Sequence, residues 1–198
     1  MKRVLFIVLV AFCLVFPTRA QNTSGTDFWL TFGRVGAFDD ISLLNFRIRI
    51  VGGDKPTWVR IDFTHLGTFD VFNINAYQVY DYILDNTQKN AVYNKIMGIK
   101  DYSIRVTTEK PVTVYAMCGI ANYCPVTNVL PVTALGTEYC QISYLPSNFN
   151  TGLDAYAVLA TQKQVWHNDV LEATLTAGEV YYRTESADKK DKLNRNVG

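Results

Sequence analysis

Apolar and polar residues alternate with a period of two along most of this chain, the pattern of half-buried strands. Asp27 to Phe32 is the first short run. Leu44 to Val51 sets Phe46, Ile48 and Ile50 on one face and Arg47 and Arg49 on the other. After Gly52-Gly53-Asp54, Trp58 to Phe63 opposes Val59, Ile61 and Phe63 to Arg60 and Asp62, which predicts a hairpin. Further strands are expected at Val71 to Asn75, Gln78 to Leu84, Tyr102 to Thr107 and Val112 to Met117. Four more follow at Glu138 to Leu145, Ala155 to Ala160, Val170 to Leu175 and Glu179 to Thr184. Asn86 to Met97 departs from the pattern and reads as a loop or short helix without a marked N-cap. Many short strands at close intervals predict an all-β, antiparallel, sandwich-like fold.

Two stretches resemble one another. Each has a strand, a polar turn, a strand, and then an Ile/Leu-x-Ala-x-x-Val-Tyr ending, at Ile74 to Tyr80 and at Leu175 to Tyr181. This predicts two duplicated β units. The segment from residue 185 to 198 is highly charged with few aliphatic residues, so it is expected to be a mobile tail.

Composition adds the compartment. Met1 to Ala20 joins a basic start (Lys2, Arg3) to thirteen apolar residues, then Pro17 and the small-residue sites Thr18 and Ala20. That is a signal peptide, too short for the ~20 residues of a membrane span, with cleavage expected between Ala20 and Gln21. Losing Lys2, Arg3 and Arg19 takes the net charge from +1 to −2. Neither value suits a nucleic-acid binder, which needs a clustered basic surface. The mature protein, a single β domain to residue 184, is expected to be secreted or held at the cell surface, with no transmembrane segment. Three cysteines remain after cleavage. Cys118 and Cys124 enclose a short turn and are a disulfide candidate; buried free thiols are the alternative.

Four segments occur in order: QNTSGTDFWLTF, DYSIRVTTEKPVTVYAM, VLPVTALGTEYCQISYLP and AYAVLAT. Together they resemble the IgGFc-binding protein N-terminal domain, a family of a mucus-secreted vertebrate protein and of many exported bacterial proteins. Leu130 to Tyr139 is the most specific part, supported by Gly25 to Trp29 and Lys110 to Ala116. Cys118 to Asn128 stands where the family often has a Ser- and Asp-containing stretch, and one further β unit follows, as in a truncated or minimal member. The resemblance implies an exported bacterial binding protein. In architectural terms, Gly25 and Gly136 suit close approach or positive φ. Lys110-Pro111 reads as a turn into the next strand, and Leu130-Pro131 as a strand edge or corner.

No catalytic constellation is visible, and no metal or other cofactor is implied. His65 and His167 read as turn or surface histidines. Asp39 and Asp40 fall far short of a Ca²⁺ cage, and Asp27, Glu138 and Asp154 have no evident partner acid. The tyrosines carry the functional hint. Tyr80 and Tyr82 share one strand face, and Tyr181 and Tyr182 hold the matching place in the second unit. Tyr is an amphipathic recognition surface, and Tyr80, Tyr82 and Tyr181 are therefore the expected ligand-binding residues. The expected function is a non-enzymatic adhesion module for a host or extracellular protein, mucin or glycan. The alternative is a structural β spacer of a surface protein. An exposed aromatic patch favours binding, open sheet edges the spacer, and a pocket with convergent carboxylates an enzyme.

Overall fold

A computed structural model describes residues 22–35, 40–120, 124–136, 139–141, 154–159, 163–167, 170–185 and 195–197. The expected signal peptide and the cleavage site expected between Ala20 and Gln21 lie outside the described residues, as do Asp39 and Glu138. In chain order the first strands are β1 (Ser24–Leu30), β2 (Phe32–Gly33), β3 (Asn45–Gly52), β4 (Thr57–Phe63), β5 (Thr68–Ile74) and β6 (Val79–Ile83). Helix α1 (Asn86–Val92) leads to β7 (Tyr93–Asn94), β8 (Gly98–Lys100), β9 (Ile104–Gly119) and β10 (Val126–Val129). The second part holds β11 (Tyr139–Gln141), β12 (Asp154–Leu159), β13 (Lys163–His167), β14 (Val170–Leu175), β15 (Val180–Glu185) and β16 (Arg195–Val197). Among the described residues the strand pairing is antiparallel apart from one short parallel pair between β2 and β7.

The organising element is β9. It joins the two strands expected at Tyr102–Thr107 and Val112–Met117, and Lys110-Pro111 is a corner inside it instead of a turn before it. β1 lies along one edge of β9, pairing Phe28 with Val106 and Gly25 with Val112. The other edge takes β4 against residues 104–108 and β3 against residues 112–119. β3 and β4 therefore do not form the expected hairpin. They run end to end along β9, joined across the corner, and Pro111 sits where the partner changes, so its missing N–H breaks no ladder. The corner is pinned from inside: the buried Thr57 Oγ1 accepts from the N–H groups of Glu109 (3.2 Å) and Lys110 (2.9 Å). A side chain at Gly25 would meet Pro131 at 2.3 Å, so the glycine is required by close approach, and the Gly25, Pro111 and Pro131 segments meet around one corner.

The two halves of the bent sheet face each other over one core. Phe28, Phe46, Ile48, Ile50, Val59, Ile61, Ile104, Val106 and Val114 are fully buried there, in the phases that alternation predicts. Phe72 of β5 stacks on Tyr80 of β6 with centroids 4.3 Å apart, closing the sandwich at its open side. The short helix has an N-cap that the sequence reading missed. Asp85 and Gln88 form a capping box, in which Asp85 Oδ1 accepts from Gln88 N at 2.8 Å.

The second part repeats the first in topology. In the first unit β3 pairs with β6 and β4 with β5; in the second, β12 pairs with β15 and β13 with β14. The turns before the fourth strands match in detail. Gln78 N donates to Asn75 O and Glu179 N to Thr176 O, both at 3.1 Å. Gln78 Oε1 accepts from Asn75 N at 2.8 Å, and Glu179 Oε2 from Thr176 N at 2.7 Å. The third turn residue has positive φ in each, Tyr77 at 58° and Gly178 at 89°. The sequence similarity thus corresponds to two units of one topology. β16 falls within the charged tail, where composition predicts no packing, and main-chain pairing to β11 and β13 holds it.

Candidate functional site

Tyr80 and Tyr82 pair with Ile50 and Ile48, both buried, so they point inward. They are half-buried in a seam between the two edge strands, where Phe72 lies parallel to both rings. The Tyr82 hydroxyl donates to Asp70 and accepts from Gln88 Nε2 at 2.6 Å. Burial, reinforced by the Asp70 carboxylate, pushes its pKa well above the ordinary phenol value. Tyr181 belongs to the other unit, packed with Tyr156 on a small core of Val165, Ala173 and Leu175. Its hydroxyl donates to Glu172 Oε2 at 2.6 Å, and Glu172 also pairs with Arg183 and accepts from Tyr156 at 3.3 Å. Tyr182 is buried, and its hydroxyl accepts from Arg34 N at 3.2 Å. The three expected ligand tyrosines are therefore divided between an inner seam and a second core, and form no single outward patch.

The outward patch lies on the opposite face of the first half-sheet, built by residues in the polar phase. One row across β5, β4, β9 and β1 is Phe69, Asp62, Arg105 and Trp29; the next is Val71, Arg60, Thr107 and Asp27. Trp58 flanks them beside Asn73. Phe69 is 52% exposed, Val71 57% and Trp58 39%. Arg60 lies over the Phe69 ring at 3.8 Å and pairs with Asp62 at 2.6 Å. Arg105 is held by both oxygens of Asp27, at 2.9 and 2.8 Å, and stands 5.3 Å over Trp29. These bonds lift both guanidinium pKa values further. The face thus offers ring surfaces, planar guanidinium groups and self-compensated charge, suited to stacking and hydrogen bonding. Asp27, considered as a lone acid in the sequence, is the partner of Arg105. A signal was present: β5 carries large apolar residues in both phases, Phe69 and Val71 against Phe72 and Ile74. Only its place at the sheet edge shows that one phase is left outside.

Cys118 and Cys124 are free thiols, not a disulfide. The register explains this. Val126 pairs with Met117 and Cys118 N donates to Pro125 O at 3.1 Å, so Cys124 stands opposite Gly119, its Sγ 3.8 Å from a Cβ position there. Residues directly opposite in a ladder share a face. Cys118 therefore faces the core and Cys124 the exterior. Burial pushes the Cys118 thiol up to about 11.

Four further titratable residues considered in the sequence have local partners or lie at strand ends. His65 Nδ1 meets Asp101 at 2.7 Å and its ring stands edge-on to Tyr102; both members of the pair are exposed. Asp40 caps a 3-10 turn, accepting from Ser42 Oγ at 2.6 Å and from Ser42 N at 2.9 Å, and these bonds, the hydroxyl first, lower its pKa. His167, expected at a turn, ends β13, and Asp154 starts β12. Among the described residues no group of His, Cys, Asp and Glu is arranged to hold a metal ion, and no helix is long and apolar enough to cross a membrane. No protein-family model, curated protein or solved structure matches the chain.

Proposed function

We propose that this chain is an exported, non-enzymatic binding module, secreted or held at a cell surface, that recognises an extracellular protein, mucin or glycan. The observation that carries this reading is the exposed aromatic face of β4 and β5, where Trp58, Phe69 and Val71 stand beside the Arg60–Asp62 pair. Large apolar side chains clustered in the outward phase of a strand contribute nothing to the core, and such patches mark interaction surfaces. Aromatic residues and arginine are also the residue types that dominate binding energy at interfaces. The resemblance to the IgGFc-binding protein N-terminal domain puts IgG Fc and mucins first among the ligands to be tried. A structural spacer is the second reading, favoured by the β5 edge, which has no partner but β4 among the described residues.

The test is a binding screen of Gln21 to Gly198 against IgG Fc, mucins and a glycan array. A saturable hit is expected that weakens about tenfold or more in Trp58→Ala and Phe69→Ala and is unchanged in Tyr80→Phe. A hit lost in Tyr82→Phe and kept in the two alanine variants moves the site to the inner seam. A blank from a folded sample removes Fc, mucins and the arrayed glycans as ligands and moves weight to the spacer.

A further inference from the structure

β5 offers more than its side chains. Its seven residues pair with β4 on one side, and among the described residues no strand lies on the other. Main-chain donors and acceptors along such an edge are a template for another strand. Apolar side chains alternate outward along it at Phe69 and Val71, which a partner strand in register would extend. The inward row carries one carboxylate, Asp70, beside Phe72 and Ile74, and Asp85, the N-cap of α1, adds a second. Asp70 and Asp85 are both exposed, both lie close enough to Tyr82 to disfavour its phenolate, and neither has a basic partner among the described residues. Tyr82 and Gln88 hold Asp70 in place through hydrogen bonds.

These charges select the occupant. Pairing the whole of β5 antiparallel with a second copy would centre on Val71 and set the two Asp70 carboxylates diagonally across the ladder, about 7–8 Å apart, with no cation between them. We infer that the β5 edge is a strand-addition site for an extended polypeptide segment with alternating apolar residues and a lysine or arginine facing Asp70. This rests on the reading of the chain as a binding module and names the class of partner. Main-chain hydrogen bonds supply attachment, Val71 and Phe69 continue the apolar row, and Asp70 sets register through its charge.

The test uses short, capped, fluorescent peptides alternating valine and threonine around one central lysine, read by anisotropy against the intact chain. Saturable binding is expected, lost when alternate amides are N-methylated, and weakened about three- to fivefold by Asp70→Asn. Asp70→Lys is expected to move the preference to a peptide with central glutamate, and Val71→Lys to lower affinity for the lysine peptide. The proposal is overturned if the N-methylated peptide binds equally well, or if Asp70→Lys leaves the lysine preference intact. Concentration-dependent dimerisation abolished by Val71→Lys also overturns it, in favour of a second copy as occupant. Peptides that fail while the Fc, mucin or glycan screen gives a hit sink strand addition and leave the binding module standing. Failure of both sinks strand addition and moves weight to the spacer.

Discussion

Single residues here act mainly through what their backbone or burial forbids. Tyr77 occupies the left-handed region at a position where the matching turn of the second unit has Gly178. A non-glycine residue there stores strain of about 1–2 kcal/mol, partly offset by the greater unfolded-state freedom of glycine. Tyr77→Gly is therefore expected to stabilise the fold by roughly 0.5–1 kcal/mol, read as a higher denaturant midpoint at unchanged slope. The thiols give a second prediction. A maleimide should label exposed Cys124 readily at neutral pH and reach Cys118 only on unfolding, because the latter faces the core with its pKa raised. Equal labelling rates in the folded protein would contradict the register that separates them. The sequence showed both cysteines and their spacing, but a one-residue difference in register decides which face each occupies, and that is set by the β9–β10 ladder.

Elements were legible where alternation is strong and illegible where two elements share a partner. The phases of β3 and β4 follow directly from their sequences, since a strand with one face on a core must repeat every second residue. The hairpin expected between β3 and β4 was wrong because a Gly-rich turn between two alternating runs looks the same whether the runs fold back or continue round a corner. What distinguishes the two is the 16-residue length of β9, long enough to pair with both. That corner rests on a buried hydroxyl. Thr57→Val preserves shape but leaves the Glu109 and Lys110 amides without their acceptor, at an expected cost of about 1–3 kcal/mol in unfolding free energy. Thr57→Ser, which keeps the oxygen, should recover most of it. The missed capping box is a different failure: Asp85 and Gln88 were readable at the right spacing, but the weak periodicity of Asn86 to Met97 hid the start of the helix.

At the scale of the molecule, the two units have one topology but unequal cores. The first buries a continuous cluster from Phe28 to Val129, whereas the second packs Tyr156, Val165, Ala173 and Leu175 with a polar cluster at Glu172. They are joined by β8 pairing with β15 and by Ser103 Oγ donating to Gly178 O at 2.6 Å. Amide exchange should accordingly be slowest in residues 104–114 and faster in residues 165–175, as local stability follows buried apolar contact. High pH should weaken both units, the first through Tyr82 and the second through Tyr156 and Tyr181. Burial and the Glu172 charge push Tyr156 from 10.0 up to about 12, and Tyr181 is raised in the same sense. A raised folded pKa contributes stability that is complete below the unfolded value and is lost as pH rises through the folded one. The second unit is thus expected to weaken between about pH 10 and pH 12, with late phenolate absorbance from Tyr156. Phenolate absorbance from Tyr156 complete by about pH 10 would contradict the cluster.

The sequence by itself determined that the chain is a set of strands, which residues of β3 and β4 turn inward, and that a unit ending in Val-Tyr recurs. Those properties are local, because side-chain direction alternates with the backbone and burial follows the apolar phase. Tertiary structure alone decided that β3 and β4 share β9, that Tyr80 and Tyr82 seal a seam, and that Trp58, Phe69 and Val71 face out. Strand neighbours depend on contacts far apart in the chain, such as Gly25 against Pro131 and Thr57 against Lys110. A strand apolar in both phases shows its outer face only once its position in the sheet is known.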